Sequence, residues 1–366
     1  MTDQLFELEA IEVHAEGEPG RVITNAAGLV QGTTMAERFA YCQTHLDWLR
    51  KAILREPRGY PGMCAVLLLP PVNEGSDFGI VVLEQGGFTP MSGSNTMCAV
   101  TAALESGIVP ITGPEVQVTI DTAVGTVRAI AHTEGRKVVS VTVVNVPAFV
   151  VGLDTPLEVP DFGTVRADIV FGGQFFAQVR VADLGLELDP SRARELVRAG
   201  ALIRMAAREQ LILEHPVNPV TDLVNLVMLH DGDRTPGTPS HNTVVLTNAP
   251  VLRDDPRTWT GALDRSPCGT GTSARMAALH ARGQLEIGEE FVHHSIIGST
   301  FVGRLTGAVD LGGVPAVLPV ITGRAWVTGR STWVLDPSDP YPEGYTVADI
   351  WAPTPYASGT PPRKAE

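Results

Sequence analysis

The chain has 366 residues, 44% of them apolar, with 37 Gly, 28 Pro and a formal net charge of −14. That length exceeds one ordinary core and suits two domains, each large enough to bury its own. The acidic balance argues against nucleic acid and anionic membranes as partners, and the longest apolar runs, such as Ala65 to Leu69, are far too short to span a bilayer.

The start, Met1 to Leu5, lacks a charged n-region and a long apolar stretch, so no signal peptide is expected. Cys42, Cys64, Cys98 and Cys268 form no C-x-x-C pair, which suggests a reducing, cytoplasmic compartment. The first three read as small buried hydrophobes.

In chain order, Leu8 to His14 and Val22 to Thr24 read as strands around a Gly-Glu-Pro turn, and Thr34 to Leu54 as one amphipathic helix ended by Glu56-Pro57-Arg58-Gly59. Strands follow at Ala65 to Leu69, Gly79 to Leu83, Val116 to Ile120 and Val138 to Val146, interrupted by a helix over Thr96 to Ser106. The second half repeats this order. Strands are expected at Ala167 to Phe171, Phe176 to Val181, Leu223 to Leu229, Thr243 to Leu246, Phe291 to Ile297 and Val317 to Ile321, and helices at Ser191 to Met205 and Ser273 to Arg282. A boundary falls near Asn145-Val146-Pro147, giving domains 1–145 and 146–331, with residues 332–366 returning to the first. The tail from Pro353 to Glu366 is Pro-rich and polar and reads as disordered beyond Tyr356.

The chemistry concentrates in Asp264-Arg265-Ser266-Pro267-Cys268-Gly269-Thr270-Gly271-Thr272, a lone thiol on a glycine-rich turn that runs into an Ala-rich helix. At a helix N-terminus the macrodipole favours the thiolate, and the free N–H groups of Gly269 and Thr270 can hold an anion beside it. The same turn occurs earlier as Met91-Ser92-Gly93-Ser94-Asn95-Thr96, at a constant offset of 176 residues; Ala102 and Gly107 then match Ala278 and Gly283. A period near half the chain points to duplication of a domain. Two such turns facing each other would present Ser92 and Cys268 to opposite sides of one ligand. A phosphate loop is a poor reading, since no Walker-type Lys follows either turn. A metal site is equally poor, because His293 and His294 would point to opposite faces of a strand. A His base for Cys268 cannot be assigned among His14, His132, His215, His230 and His241.

These residues resemble the proline racemase family, whose members include proline racemases, 4-hydroxyproline 2-epimerases and trans-3-hydroxy-L-proline dehydratases. The resemblance covers nearly the whole chain. It is carried by His14, Gly17-Glu18-Pro19, Arg21, Glu56 to Gly59, Met91 to Thr96, Asp121-Thr122, Asn145 to Pro147, Phe171 to Phe175, Asp264 to Thr272 and Ser295 to Ser299. It implies an α/β (α+β) fold of two pseudo-symmetric diaminopimelate-epimerase-like domains, each a β-rich shell around a central helix, with the active site in the cleft between them.

The resemblance also implies roles. In the family two thiols face each other at the positions of Ser92 and Cys268; here the usual Met-Cys-Gly-His reads Met91-Ser92-Gly93-Ser94, so one thiol is a hydroxyl. The N–H groups of Gly93, Ser94, Gly269 and Thr270 would bind the substrate carboxylate, Asp264 the ring ammonium, and Phe175 or Phe176 would wall the ring. No cofactor or metal is implied. The expected partners are a proline-like imino acid and, at most, a second copy of the chain. A Ser/Cys pair is associated in the family with hydroxyproline turnover. The first expectation is therefore 4-hydroxyproline 2-epimerase; a trans-3-hydroxy-L-proline dehydratase, a bifunctional enzyme and a non-catalytic ligand-binding homologue stay open.

Overall fold

The computed structural model describes residues 5–217, 222–348 and 350–351; the tail from Pro353 onward lies outside them. In the first half run β1 (Phe6–Ala15), β2 (Glu18–Ile23), α1 (Met35–His45), α2 (Asp47–Leu54), β3 (Ala65–Leu69), β4 (Phe78–Glu84), β5 (Gly87–Thr89), α3 (Gly93–Ser106), β6 (Glu115–Thr122), β7 (Gly125–Glu134) and β8 (Lys137–Val144). In the second run β9 (Ala148–Val159), β10 (Gly163–Phe171), β11 (Phe175–Arg180), α4 (Ala193–Gln210), β12 (Val224–His230), β13 (Ser240–Thr247), β14 (Gly261–Leu263), α5 (Gly269–Ala281), β15 (Glu290–His294), β16 (Thr300–Leu311), β17 (Val314–Gly323) and β18 (Ala325–Leu335).

The chain is a mixed α/β protein, rich in β. Strands β9, β10, β11, β12, β13, β15, β16 and β17 pair in that order, and β17 pairs back onto β9, which closes an eight-stranded barrel. Closure leaves this sheet no edge to protect. The pairing order recurs in the first half as β18, β1, β2, β3, β4, β6, β7, β8. Parallel pairs occupy equivalent places in both: β2–β3 and β4–β6 match β11–β12 and β13–β15. β8 does not meet β18 in a ladder; it pairs with β17 from Val141 to Val144 and so joins the two sheets. The chain returns to β1 at Ala325, which faces Ala15, ahead of the crossing expected near Ser331.

Each sheet wraps one helix. α3 packs on β1, β2, β3, β4, β7, β8 and β18, and α5 on β9, β10, β11, β16 and β17. Every residue from Gly93 to Leu104 and from Gly269 to Leu279 is buried, so neither helix has a polar face. Small residues make this feasible: Ala, Gly, Ser and Thr let strands approach on all sides, while Met97, Val100, Met276 and Leu279 fill the remaining space at about 1.5–3 kcal/mol each. The other helices lie outside. Gly200 of α4 touches Val245 so closely that a β-carbon there would lie 2.4 Å from the valine side chain.

Two expectations need correction. The single helix over Thr34 to Leu54 is two, α1 and α2, because buried Leu46 leaves helical geometry at φ −114°, ψ 16°; Asp47 then opens the second by pairing with Arg50 and Lys51. Strands β7, β9, β16 and β18 have no counterpart in the expected set, because polar residues, Gly or Pro break up their apolar positions.

The two buried helices meet end to end. A β-carbon on Gly93 would lie 2.9 Å from the Gly269 Cα, and one on Gly269 would lie 2.9 Å from the Gly93 Cα. Backbone cannot yield as a flexible side chain does. Gly269→Ala is therefore expected to destabilise the fold by about 1–3 kcal/mol and to depress turnover more strongly than stability. Urea unfolding and kcat measured on the same preparation check this.

Candidate active site

Ser92 and Cys268 are the N-cap residues of α3 and α5, 8% and 6% exposed, and the glycine that follows each touches its counterpart. The first N–H groups of both helices, including those of Gly93, Ser94, Gly269 and Thr270, have no carbonyl one turn back to bond. Two positive helix ends thus converge on one buried spot, a setting that favours an anion.

The Cys268 turn is the more constrained. Cys268 adopts φ 64°, ψ 114°, a conformation unfavourable for a residue with a β-carbon and costing about 1–3 kcal/mol. Bonds on all sides hold it. Ser266 Oγ accepts from the Cys268 N–H at 3.1 Å, Thr272 N–H donates to the Cys268 carbonyl at 2.7 Å, and the Pro267 carbonyl accepts from Asn242 Nδ2 and Thr272 Oγ1, both at 3.2 Å. Behind it, buried His293 Nδ1 meets Thr272 Oγ1 at 2.9 Å, and burial keeps that imidazole neutral by pushing its pKa well down. The β10–β11 turn braces α5 from the side: a β-carbon on Gly172 would strike the Thr270 carbonyl at 2.3 Å, and Asn145 bridges the Gly172 carbonyl and Ser273 Oγ at 2.9 and 2.7 Å.

Asp264 lies beside the thiol. Its Oδ1 accepts from Ser266 N–H and Oγ at 2.8 and 2.9 Å. Next to it is Glu18, whose Oε2 accepts from the Arg265 N–H at 2.8 Å and whose Oε1 accepts from Cys64 Sγ at 3.7 Å. Burial, then the charge of Asp264, pushes Glu18 well above the usual carboxylate range, and burial raises Asp264 as well. Two buried carboxyls this close cannot both ionise, so the pair keeps a proton.

The Cys268 pKa corrects the expectation of an acidified thiol. Burial and then the Asp264 carboxylate push it well above its ordinary value; the Gly271 N–H and Thr270 hydroxyl pull it down by less. The helix terminus is present, but desolvation and a neighbouring carboxylate outweigh it.

Ser92 Oγ accepts from Asn95 Nδ2 at 3.1 Å and lies 3.4 Å from Ser94 Oγ. Phe176 is fully buried in the same core as Cys268 and Met91, whereas Phe175 faces the other way, onto Phe149 and Phe171. The histidines are occupied elsewhere: His14 accepts from the Gly17 N–H, His132 and His241 pair with Glu115 and Asp231, His215 packs on Phe149 and Phe171, and His230 accepts from the Gly232 N–H. Among the described residues, no group of His, Cys, Asp and Glu has the spacing to hold a metal, and no helix is long and apolar enough to cross a membrane.

The sequence profile of the family Proline racemase matches residues 10–346. This chain belongs to the proline racemase family. It is 39% identical over 336 residues to a 4-hydroxyproline 2-epimerase of Streptosporangium roseum, spanning 92% of this chain and 97% of that one. It is 38% identical over 355 residues to proline racemase A of Trypanosoma cruzi, spanning 92% and 81%. A hydroxyproline epimerase from Agrobacterium vitis, solved with bound trans-4-hydroxy-L-proline, superposes with a TM-score of 0.86 at 36% identity, covering 94% of this chain and 97% of that one. The chain is accordingly a racemase/epimerase.

Sequence reasoning overlooked Glu18 and Cys64 as parts of this family site. Glu18 stood in the Gly-Glu-Pro turn that carries the resemblance, yet only the fold brings it to Asp264, 246 positions later in the chain. A direct consequence is testable. In Asp264→Asn the charge that raises the thiol is gone, so alkylation of Cys268 by iodoacetamide at pH 8, read by peptide mass spectrometry, should run faster than in the unsubstituted protein. An unchanged rate would mean that burial alone sets the thiol.

Proposed function

We propose that the protein is a cofactor-independent 4-hydroxyproline 2-epimerase interconverting trans-4-hydroxy-L-proline and cis-4-hydroxy-D-proline. The observation that carries this reading is the end-to-end meeting of two buried helices capped by Ser92 and Cys268. The names of the relatives support the substrate class: one is a 4-hydroxyproline 2-epimerase and another was solved with trans-4-hydroxy-L-proline bound. The working unit is then two similar domains, residues 1–145 with the returning strand and 146–331, with the imino acid held in the cleft between them.

The substrate carboxylate lies on the N–H groups of Gly93, Ser94, Gly269 and Thr270, and its ring ammonium pairs with Asp264. That pairing offsets the charge that holds the thiol up and makes the Cys268 thiolate accessible. The Cα–H bond breaks, its proton passes to Cys268 Sγ, and the electron pair left on Cα spreads into the carboxylate, stabilised by the helix ends. Ser92 Oγ–H then protonates Cα from the opposite face. A carbanion is basic enough to take a proton from a hydroxyl, so a serine serves as acid on this face even though it is a weaker acid than a thiol. The reverse reaction exchanges the two roles.

A second reading, dehydration of trans-3-hydroxy-L-proline, draws on one observation: only one of the two helix caps is a thiol. In that substrate the Cα hydrogen and the hydroxyl share a ring face, so Cys268 alone could take the proton and return it to the departing oxygen. Incubation with trans-4-hydroxy-L-proline, trans-3-hydroxy-L-proline and L-proline in heavy water, followed by NMR, separates the readings. We expect deuterated cis-4-hydroxy-D-proline, abolished in Cys268→Ala and in Ser92→Ala and retained in Ser92→Cys. Pyrroline-2-carboxylate formation that survives Ser92→Ala would favour the dehydratase, and epimerisation unchanged in Ser92→Ala would remove Ser92 from the mechanism.

A further inference from the structure

Ser92 sits at a helix N-cap without doing the usual work of one. A capping serine accepts the backbone N–H of the third helical residue, here Asn95; the Ser92 hydroxyl makes no such bond. It accepts instead from the Asn95 side chain, Nδ2 to Oγ at 3.1 Å. Asn95 is 2% exposed, and its Oδ1 has no hydrogen-bond partner. Burying an amide half satisfied costs about 1–3 kcal/mol. The chain also makes room for it: Gly20 of β2 lies so close that a β-carbon would come within 3.1 Å of Asn95 Oδ1 and 2.8 Å of Cys98 Sγ.

The duplicated turn shows what this donor does. At the offset of 176 residues Asn95 corresponds to Gly271, and the Gly271 N–H is the backbone group that lowers the pKa of the Cys268 thiol. At this helical position α3 thus carries a side-chain N–H donor to Ser92 Oγ, where α5 carries a glycine with no side chain to offer. Resting on the epimerase reading above, we propose that Asn95 is a positioning residue for Ser92: its amide N–H occupies one lone pair of Oγ, leaves the hydroxyl proton to point at Cα, and stabilises the negative charge that grows on Oγ as the proton leaves. Pre-organised donors of this kind act mainly on the transition state. The hydroxyl needs the help more than a thiol would, because it is the weaker acid.

The dependence on a hydroxyl supplies the test. Asn95→Ala and Asn95→Asp are made with Ser92 and with Ser92→Cys, and epimerisation of trans-4-hydroxy-L-proline is measured in both directions, with thermal melting to confirm the fold. With Ser92 present, both changes should lower kcat by about 100-fold or more, the size seen for loss of one pre-organised donor, and leave KM within about threefold. With Ser92→Cys, Asn95→Ala should cost less than about fivefold, so the double-mutant cycle does not close additively. Equal losses in both backgrounds would reduce Asn95 to a packing residue and overturn the inference. So would an active Asn95→Asp, since a carboxylate cannot donate to Oγ. If Ser92→Cys is itself inactive, the Ser92 background still decides through Asn95→Asp: retained turnover overturns the inference, and lost turnover with KM unchanged and the fold intact supports it. Failure of the unsubstituted protein to epimerise the substrate would sink the underlying reading together with this one, whereas normal turnover in that protein beside an active Asn95→Asp sinks this one alone.

Discussion

Two buried helices can meet end to end only where neither carries a β-carbon, and Gly93 and Gly269 satisfy that condition on each other. Much else follows from it. The N-termini of α3 and α5 cannot be solvated, so their unpaired N–H groups must be kept for a ligand or left costly. The residues just before the glycines are Ser92 and Cys268, the N-caps of the two helices. The β10–β11 turn, the Asn145 bridge and the Asn242–His293–Thr272 set all act to hold α5 at this junction, which accounts for sequence motifs that carry no reactive group of their own.

Electrostatics at the junction is a balance between burial and the helix ends. Desolvation raises Glu18, Asp264 and Cys268 together; the Asp264 charge raises Glu18 and the thiol further, while hydrogen bonds from Ser266 and Glu18 pull Asp264 back. The Glu18–Asp264 pair keeps one proton between its two carboxyls, so one negative charge stays beside the thiol. In the epimerase reading proposed above, the substrate ammonium meets that charge and the substrate carboxylate meets the helix ends.

In the proposed epimerisation each cap removes a proton in one direction and delivers one in the other, so the negative charge that grows on either atom has to be stabilised. On the hydroxyl side the buried Asn95 amide, donating to Ser92 Oγ, is placed to do so.

Local sequence determined a good deal of this protein. The glycine-rich turns, their repetition at 176 residues, the helices they open and the Gly107 and Gly283 that end them were all legible, because turn chemistry and helix capping depend on neighbours within a few residues. So were most apolar strands, whose alternation states which face is buried. Strands β7, β9, β16 and β18 were not, since polar residues, Gly or Pro break up their apolar positions and pairing across the chain makes them strands. The break at Leu46 was hidden for a related reason: helical periodicity continues through it, and packing decides. At the site, sequence named the residues but not their state. The elevated thiol, the partnership of Glu18 with Asp264 and the amide on Ser92 arise from burial and from contacts between distant segments, and desolvation is a property of the folded surroundings that no local pattern encodes.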